Sequence, residues 1–139
     1  MPDLEGVIAG SSTLGDVDAG SLVACIETCQ RCVASCTACA DECLSQPDIA
    51  LFRRCIRLCL DCADVCSTLA RLLSRRGQPE LSSLRAVLEA GTTLCAATAI
   101  EAQKHADTEP LCKLTAEICL ASARACDAAL TMLCAVPSA

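Results

Sequence analysis

Cysteines recur at helical spacing along two long segments of this 139-residue chain, which contains 15 of them. In the first segment the steps between successive cysteines are four, three, four, three and four residues, and in the second they are four, three and four. These steps place the thiols on one face of an α-helix, in the positions that normally carry the apolar stripe facing a core. The cysteines are Cys25, Cys29, Cys32, Cys36, Cys39 and Cys43 in the first segment, and Cys55, Cys59, Cys62 and Cys66 in the second.

The second half of the chain carries fewer thiols on the same pattern. Three of them follow one another at steps of seven, and Thr115 and Ser122 occupy the positions between them. The last cysteine is one residue out of this register. The five cysteines of this half are Cys95, Cys112, Cys119, Cys126 and Cys134.

Ten consecutive seam positions occupied by cysteine indicate metal binding. A single buried cysteine can be a small hydrophobe, but packing does not select cysteine over alanine, valine or leucine at every position. Thiolates are soft ligands that select Cu(I), zinc or iron–sulfur clusters. Zinc and the clusters need four ligands around one centre, whereas one helix face offers neighbouring pairs about 5–6 Å apart at Cβ. The pattern therefore favours many similar Cu(I) sites along an axis.

Charge balance agrees with this choice, because each Cu(I) replaces a thiol proton and adds little net charge to the interior. If most thiols bridge two ions, capacity is on the order of one Cu(I) per cysteine, roughly 10–20 per chain.

Two other functions stay open on the residues alone: a zinc or cadmium buffer of metallothionein type, and a redox protein whose neighbouring thiols cycle to disulfides. We expect no enzyme, because the sequence has no catalytic triad set, no GxGxxG and no phosphate loop, and cysteines that line a core are otherwise inert.

Four segments of similar length predict helices over residues 18–46, 48–76, 79–105 and 110–136. Asp48 is the expected N-cap of the second helix and Gly77 follows its end. Pro79 and Pro110 stand near the starts of the third and fourth, with Glu80 in the first turn of the third. Short linkers make successive helices antiparallel neighbours. The prediction is an all-α protein, an up-down-up-down four-helix bundle with a cysteine-lined core over residues 18–136, preceded by an arm or short helix in 1–17.

Chain direction sorts the side chains of such a bundle by height. One end collects leucines and forms a floor, the middle collects thiols, and the other end is a polar mouth. His105, the single histidine of the chain, falls at the mouth beside Cys43 and Cys112, and we predict that it is a Cu(I) ligand where copper enters. The floor leucines are Leu22, Leu69, Leu73, Leu81, Leu84, Leu130 and Leu133.

Composition restricts the partners. Eleven basic and 17 acidic residues give a net charge of −6, which opposes nucleic-acid binding because phosphates need a basic face. The N-terminal segment has no basic region and no apolar run of membrane-spanning length, so we expect a cytoplasmic protein with no membrane partner. An odd number of cysteines, a length that needs no covalent cross-links and the expected cytoplasmic location argue against a disulfide scaffold. The chain has no Trp or Tyr and one Phe, so thiols take the core positions that rings usually fill.

The pattern CIETCQRCVASCTACADEC, followed by CIRLCLDCADVC, CAATAIEAQKHA and CKLTAEICLASARAC, resembles the bacterial copper storage proteins (Csp) over about residues 20–130. The resemblance implies a cysteine-rich four-helix bundle that stores Cu(I) inside by thiolates. It also implies that members without a signal peptide are cytosolic and form homotetramers. Copper ions are the expected ligand, and a metallochaperone is a possible source of them.

The chain departs from the family pattern at five positions. Cys59 stands where relatives often have Asn, and four positions that are commonly Cys hold other residues. The thiol lining is therefore thinner on the third and fourth helices, and we predict that the first two hold most of the copper. The four positions without a thiol are Thr98, Ala102, Thr115 and Ser122.

Overall fold

Four helices, joined by short connections, account for most of residues 19–136, which are the residues that the computed structural model describes. They are α1 (Ala19–Leu44), α2 (Arg53–Ser74), α3 (Leu81–Gln103) and α4 (Pro110–Cys134). A 3₁₀ helix, Ile49–Phe52, precedes α2. No strand occurs between residues 19 and 136. The predicted all-α four-helix bundle is confirmed.

Sulfur contacts across the bundle give the helix directions. Near the start of α1, Cys25 Sγ lies 3.9 Å from the Sγ of Cys126, which is near the end of α4. Near the end of α1, Cys39 Sγ lies 3.7 Å from the Sγ of Cys112, which is in the first turn of α4. The two helices are therefore antiparallel. Each helix packs chiefly against its two neighbours in the ring α1–α2–α3–α4, which leaves one shared interior between them.

The start of the second helix differs from the prediction. Asp48 precedes the 3₁₀ helix and not an α-helix, and its side chain makes no capping hydrogen bond. Its carbonyl accepts the backbone N–H of Leu51 at 2.9 Å instead. The tighter 3₁₀ turn brings Phe52 into the interior, where its ring is buried. The sequence did not distinguish the two outcomes, because an aspartate is favourable at the start of an α-helix and of a 3₁₀ helix alike.

Glu80 was expected in the first turn of the third helix, but it is the N-cap. Its carboxylate accepts the backbone N–H groups of Ser82 and Ser83 at 3.2 and 3.1 Å. The hydroxyls of the same two serines donate to it at 2.6 and 2.7 Å. These hydrogen bonds, with the Ser82 hydroxyl first, lower the pKa of Glu80 to about 2. The third helix therefore begins at Leu81.

Leucines close one end of the interior. Leu22, Leu69, Leu88 and Leu133 are fully buried there. A Cβ on Gly91 would overlap the side chain of Leu69, so this glycine allows α3 to lie close against α2. We refer to this end, where α1 and α3 begin, as the floor, and to the opposite end as the mouth.

Arg85 fastens the end of α4 at the floor. Its guanidinium donates to the carbonyl of Leu133 at 2.7 Å and to that of Val136 at 2.8 Å. Carbonyls at a helix C-terminus lack partners within the helix, and a cation there also interacts favourably with the helix dipole.

Within the described part of the chain, no helix combines the length and the apolar character that crossing a membrane requires. The predicted arm, residues 1–17, lies outside the described residues.

Candidate metal centre

Nearly every thiol of the chain faces the interior of the bundle. Fourteen of the fifteen cysteines are buried as free thiols, and Cys134, at the end of α4, is exposed. Twelve of the fourteen have no accessible surface, while Cys43 and Cys112, at the mouth, keep 1% and 2%. The periodic steps on α1 and α2 are thus a buried seam, as the sequence predicted.

The thiols form four groups whose sulfur atoms lie within 4.8 Å of one another. Three groups contain four cysteines from three helices each, and one contains three cysteines from two neighbouring helices. Single helix faces offer pairs, but the ring of four helices assembles larger sets. The groups are Cys25, Cys29 and Cys126; Cys32, Cys62, Cys66 and Cys95; Cys32, Cys36, Cys62 and Cys119; and Cys39, Cys43, Cys55 and Cys112.

The floor group consists of Cys25, Cys29 and Cys126. The Sγ atom of Cys126, from α4, lies 3.9 Å from each of the two sulfurs of α1. Three sulfurs at this spacing can surround one metal ion, because sulfurs bound at about 2.3 Å in a trigonal arrangement lie about 4 Å apart.

The two middle groups share Cys32 and Cys62, whose Sγ atoms are 3.5 Å apart. Around this pair, Cys62 Sγ lies 3.6 Å from that of Cys95, and Cys32 Sγ lies 3.7 Å from that of Cys119. Because the shared thiols belong to both groups, ions bound in the two groups would be bridged by the same sulfurs.

The mouth group consists of Cys39, Cys43, Cys55 and Cys112. Cys112 Sγ lies 3.7 Å from the sulfur of Cys39 and 3.9 Å from that of Cys43. Cys59, which is fully buried, belongs to none of the four groups but faces two of them. Its pKa is lowered chiefly by Cys36 of a middle group, and then by Cys39 and Cys55 of the mouth group.

One thiol at each end of the interior, Cys43 at the mouth and Cys25 at the floor, has a raised pKa. Burial, followed by the neighbouring charge of Cys112, raises the pKa of Cys43 to about 12. The pKa of Cys25 also rises to about 12, because a hydrogen bond with Cys126 lowers it but the hydrogen bond with Cys29 and burial outweigh that effect. Cys25 and Cys43 are therefore neutral thiols at pH 7, and a metal ion that binds them must displace their protons.

His105 lies at the mouth, beside Phe52 and Glu101. Its ring packs on Phe52 with centroids 4.5 Å apart, and its side chain keeps 16% exposure. Nε2 lies 3.5 Å from Glu101 Oε2 and makes no hydrogen bond within residues 19–136. In that range the four ligand groups contain cysteine alone. The role of His105 as a ligand remains a prediction.

Glu101 is a buried carboxylate at the mouth that the sequence analysis missed. Its side chain is 8% exposed, and one oxygen lies 3.4 Å from Arg54 Nε and 3.1 Å from Lys104 Nζ. The ion pair with Arg54 joins α3 to α2 beside His105. The signal in the sequence was its spacing, since Glu101 precedes His105 by one helical turn, where i and i+4 side chains meet.

The four seam positions that lack a thiol all point inward. Thr98, Ala102, Thr115 and Ser122 have no accessible surface.

Two sulfur-containing side chains near the end of α4 lie outside the four groups. Cys134 is exposed, and Met132 is partly buried and packs against the core. The structure thus brings thirteen of the predicted ligands into the four groups, buries Cys59 beside them, and places His105 and Cys134 apart.

A helical bundle whose interior is made of connected thiols defines a class of proteins that hold many soft metal ions inside the fold. The profile of one such family, the copper storage proteins (Csp), matches residues 18–131, and the chain belongs to this family. Comparison with curated proteins gives no match.

Solved structures of a copper storage protein are similar to this chain in sequence and in fold. The copper storage protein Ccsp of Streptomyces lividans, in a structure loaded with 10 copper equivalents, is 41% identical and superposes with a TM-score of 0.88 over 93% of this chain and 98% of that one. A structure with five coppers, described as a cytosolic copper storage protein of the same organism, is 44% identical with a TM-score of 0.79, over 81% and 93%. A variant of Ccsp with one histidine replaced by alanine is 44% identical to this chain and superposes with a TM-score of 0.82. The match covers 84% of this chain and 98% of that one.

Proposed function

We propose that this protein stores copper in the cytosol as Cu(I), held by the buried thiolates of the bundle. The observation that carries the proposal is the connected interior of fourteen buried free thiols, in a family whose member Ccsp has been loaded with 10 copper equivalents. Storage, and not catalysis, is what such an interior supports, because substrates have no access to fully buried sulfurs.

The oxidation state follows from the ligands. Thiolate sulfur is soft and favours Cu(I) over harder ions. Cu(I) accepts two or three thiolates and allows one sulfur to bridge two ions, which suits a floor group of three and two middle groups that share Cys32 and Cys62.

A zinc buffer is the second candidate, because three groups contain four sulfurs within 4.8 Å of one another and zinc prefers four ligands. Anaerobic titration of the reduced protein with Cu(I), against a chelator of known affinity, tests both functions. Storage predicts on the order of ten or more tightly bound Cu(I) per chain and displacement of zinc by Cu(I). Saturation at one or two ions, or zinc outcompeting Cu(I), contradicts copper storage.

We further propose that copper enters at the mouth, past His105, and that a metallochaperone can deliver it there by exchange of thiolate ligands. Support comes from the slight exposure of Cys43 and Cys112 and from the leucines that close the floor. His105 lies among these mouth residues, held by Phe52 and Glu101.

Replacing His105 with alanine should slow copper loading and removal several-fold while leaving the capacity nearly intact, because the histidine contributes one ligand at the mouth and the thiols hold the cargo. Stopped-flow loading with a Cu(I) chelate measures the rate, and titration measures the capacity. Cys134→Ser is the matched control, since its exposed thiol lies at the opposite end. Unchanged kinetics in His105→Ala would place the route of entry elsewhere.

We also propose that the protein is a homo-oligomer. The family resemblance implies that this oligomer is a tetramer. Large apolar side chains are exposed on several helices of the described chain, and Leu51, Ile100 and Leu60 are among them. A second copy of the chain is the partner that such faces suit, because association would remove them from water.

A further inference from the structure

A carboxylate that is almost completely buried lies at the mouth of the bundle. The side chain of Glu101 is 8% exposed, and a charge removed from water requires compensating partners. Lys104 Nζ donates to Oε1 at 3.1 Å, and Arg54 Nε lies 3.4 Å from the same oxygen. These partners permit the burial but do not require it, because 61% of the Lys104 side chain and 70% of the Arg54 side chain are exposed. An exposed glutamate would pair with them equally well.

The second oxygen of Glu101 faces the imidazole of His105. Oε2 lies 3.5 Å from Nε2, which is buried and makes no hydrogen bond within residues 19–136. The imidazole also packs on the ring of Phe52, with the two planes inclined by 35°. An aromatic ring and a carboxylate therefore hold the imidazole, and the accessible 16% of its side chain does not include Nε2.

The two nitrogens of this imidazole have different surroundings, which decides how it can bind a metal. A neutral imidazole has one N–H donor and one nitrogen with a free lone pair. A metal takes the lone pair, and the N–H of a metal-ligating histidine is almost always donated to a carboxylate, a carbonyl or water. Oε2 of Glu101 is in place to accept a proton held at Nε2 of His105, and the burial of Nε2 leaves an ion no approach to it. Nδ1 is therefore the nitrogen that remains for copper.

An imidazole that is fixed in advance binds an incoming ion faster. It does not have to rotate or move its proton before the ion arrives, and a carboxylate partner also raises the basicity of the metal-binding nitrogen. Loss of such a partner costs about 10–100-fold in metal affinity or activity. Glu101 does not compete for the ion itself, because carboxylate oxygen is a hard ligand that Cu(I) does not select.

We propose that Glu101 is a positioning residue of the copper entrance, which accepts the Nε2 proton of His105 and thereby presents Nδ1 to incoming Cu(I). The inference rests on the proposed function, in which copper enters the bundle past His105. Arg54 and Lys104 hold the carboxylate by its other oxygen, so Oε2 stays directed at the imidazole.

Nuclear magnetic resonance tests the assignment of the two nitrogens on the wild-type protein. His105 is the single histidine of the chain, so isotope-labelled histidine gives the signals of one ring. Proton–nitrogen correlation spectra of the reduced full-length protein are recorded without copper and after saturation with Cu(I). The Nδ1 resonance should shift on loading, while Nε2 keeps its proton. A shift at Nε2 instead, or at neither nitrogen, would overturn the inference.

Stopped-flow loading with a Cu(I) chelate tests the action of Glu101 through the histidine. Glu101→Ala should slow loading several-fold and leave the capacity nearly intact, because the thiols hold the cargo. Glu117→Ala is the matched control, since it removes an exposed carboxylate of α4 and should load at the wild-type rate. In the His105→Ala background, Glu101→Ala should cause no further slowing.

The positioning role is wrong if Glu101→Ala loads at the wild-type rate. It is also wrong if Glu101→Ala slows loading by the same factor with and without His105, because the carboxylate would then act without the imidazole. If Glu101→Ala does not fold, which circular dichroism reports, the spectra of the wild type carry the test. All of these results leave copper storage intact, whereas saturation of the wild type at one or two ions contradicts storage itself.

Discussion

Replacing both Cys32 and Cys62 with serine lowers the copper capacity by roughly four ions per chain, about twice what the loss of two thiols would remove at one ion per thiol. The two residues are the sulfurs that both middle groups share. Their removal leaves only Cys66 with Cys95 in one group, and Cys36 with Cys119 in the other. Each remaining pair is too small for a bridged cluster, so ions bound by the neighbours are lost as well.

Anaerobic titration and metal analysis after gel filtration measure this loss. The matched control is the double variant Cys25→Ser with Cys126→Ser, which also removes two thiols but belongs to the floor group alone. It should lose only about one or two ions. Equal losses in the two double variants would show that the shared position of Cys32 and Cys62 has no effect on capacity.

Raising the pH from 9 to 12 destabilises the empty bundle but not the copper-loaded one. The pKa values of Cys25 and Cys43 rise from 9.0 to about 12 on folding. Below pH 9 these two thiols are protonated in both states, so the stability that their raised pKa values contribute is fully present. Between pH 9 and 12 the unfolded chain loses these protons first, so the free energy of unfolding falls as the pH rises.

The expected fall is on the order of several kcal/mol at pH 11, because each pH unit in this window costs about 1.4 kcal/mol per affected group. In the loaded protein the thiolates are already deprotonated and bound to copper, which also stabilises the folded state by mass action. Thermal unfolding of both forms between pH 8 and 11, under anaerobic conditions, measures the difference. Parallel pH profiles for the empty and loaded forms would contradict the proton displacement on which the account depends.

Periodicity in the sequence predicted the four helices and the inward face of α1 and α2, because steps of three and four leave a helix only one way to bury its cysteines. It did not predict which thiols meet. The meeting of Cys32 with Cys62 and Cys119 depends on the heights and rotations of three helices, and the pattern of any single helix contains no information about these. For the same reason the sequence did not predict the groups of three and four sulfurs into which the thiols assemble in the folded protein.

Glu101 illustrates a second limit. A glutamate next to a seam is ordinarily solvated, and its burial here depends on Arg54, which reaches it from α2. These two residues are 47 positions apart in the sequence, so no local sequence pattern indicates that they pair. Ser122 was visible in the sequence as an interruption of the cysteine pattern, but only the structure shows that its neighbours are sulfurs of two separate groups.

A crystal structure of the Cu(I)-loaded protein, with anomalous differences measured at the copper absorption edge, tests the central claim most directly. Storage by the buried thiolates predicts on the order of ten or more copper sites along the axis of the bundle, each within bonding distance of at least two buried Sγ atoms. Copper confined to the surface, or one or two sites in an otherwise empty interior, would contradict it.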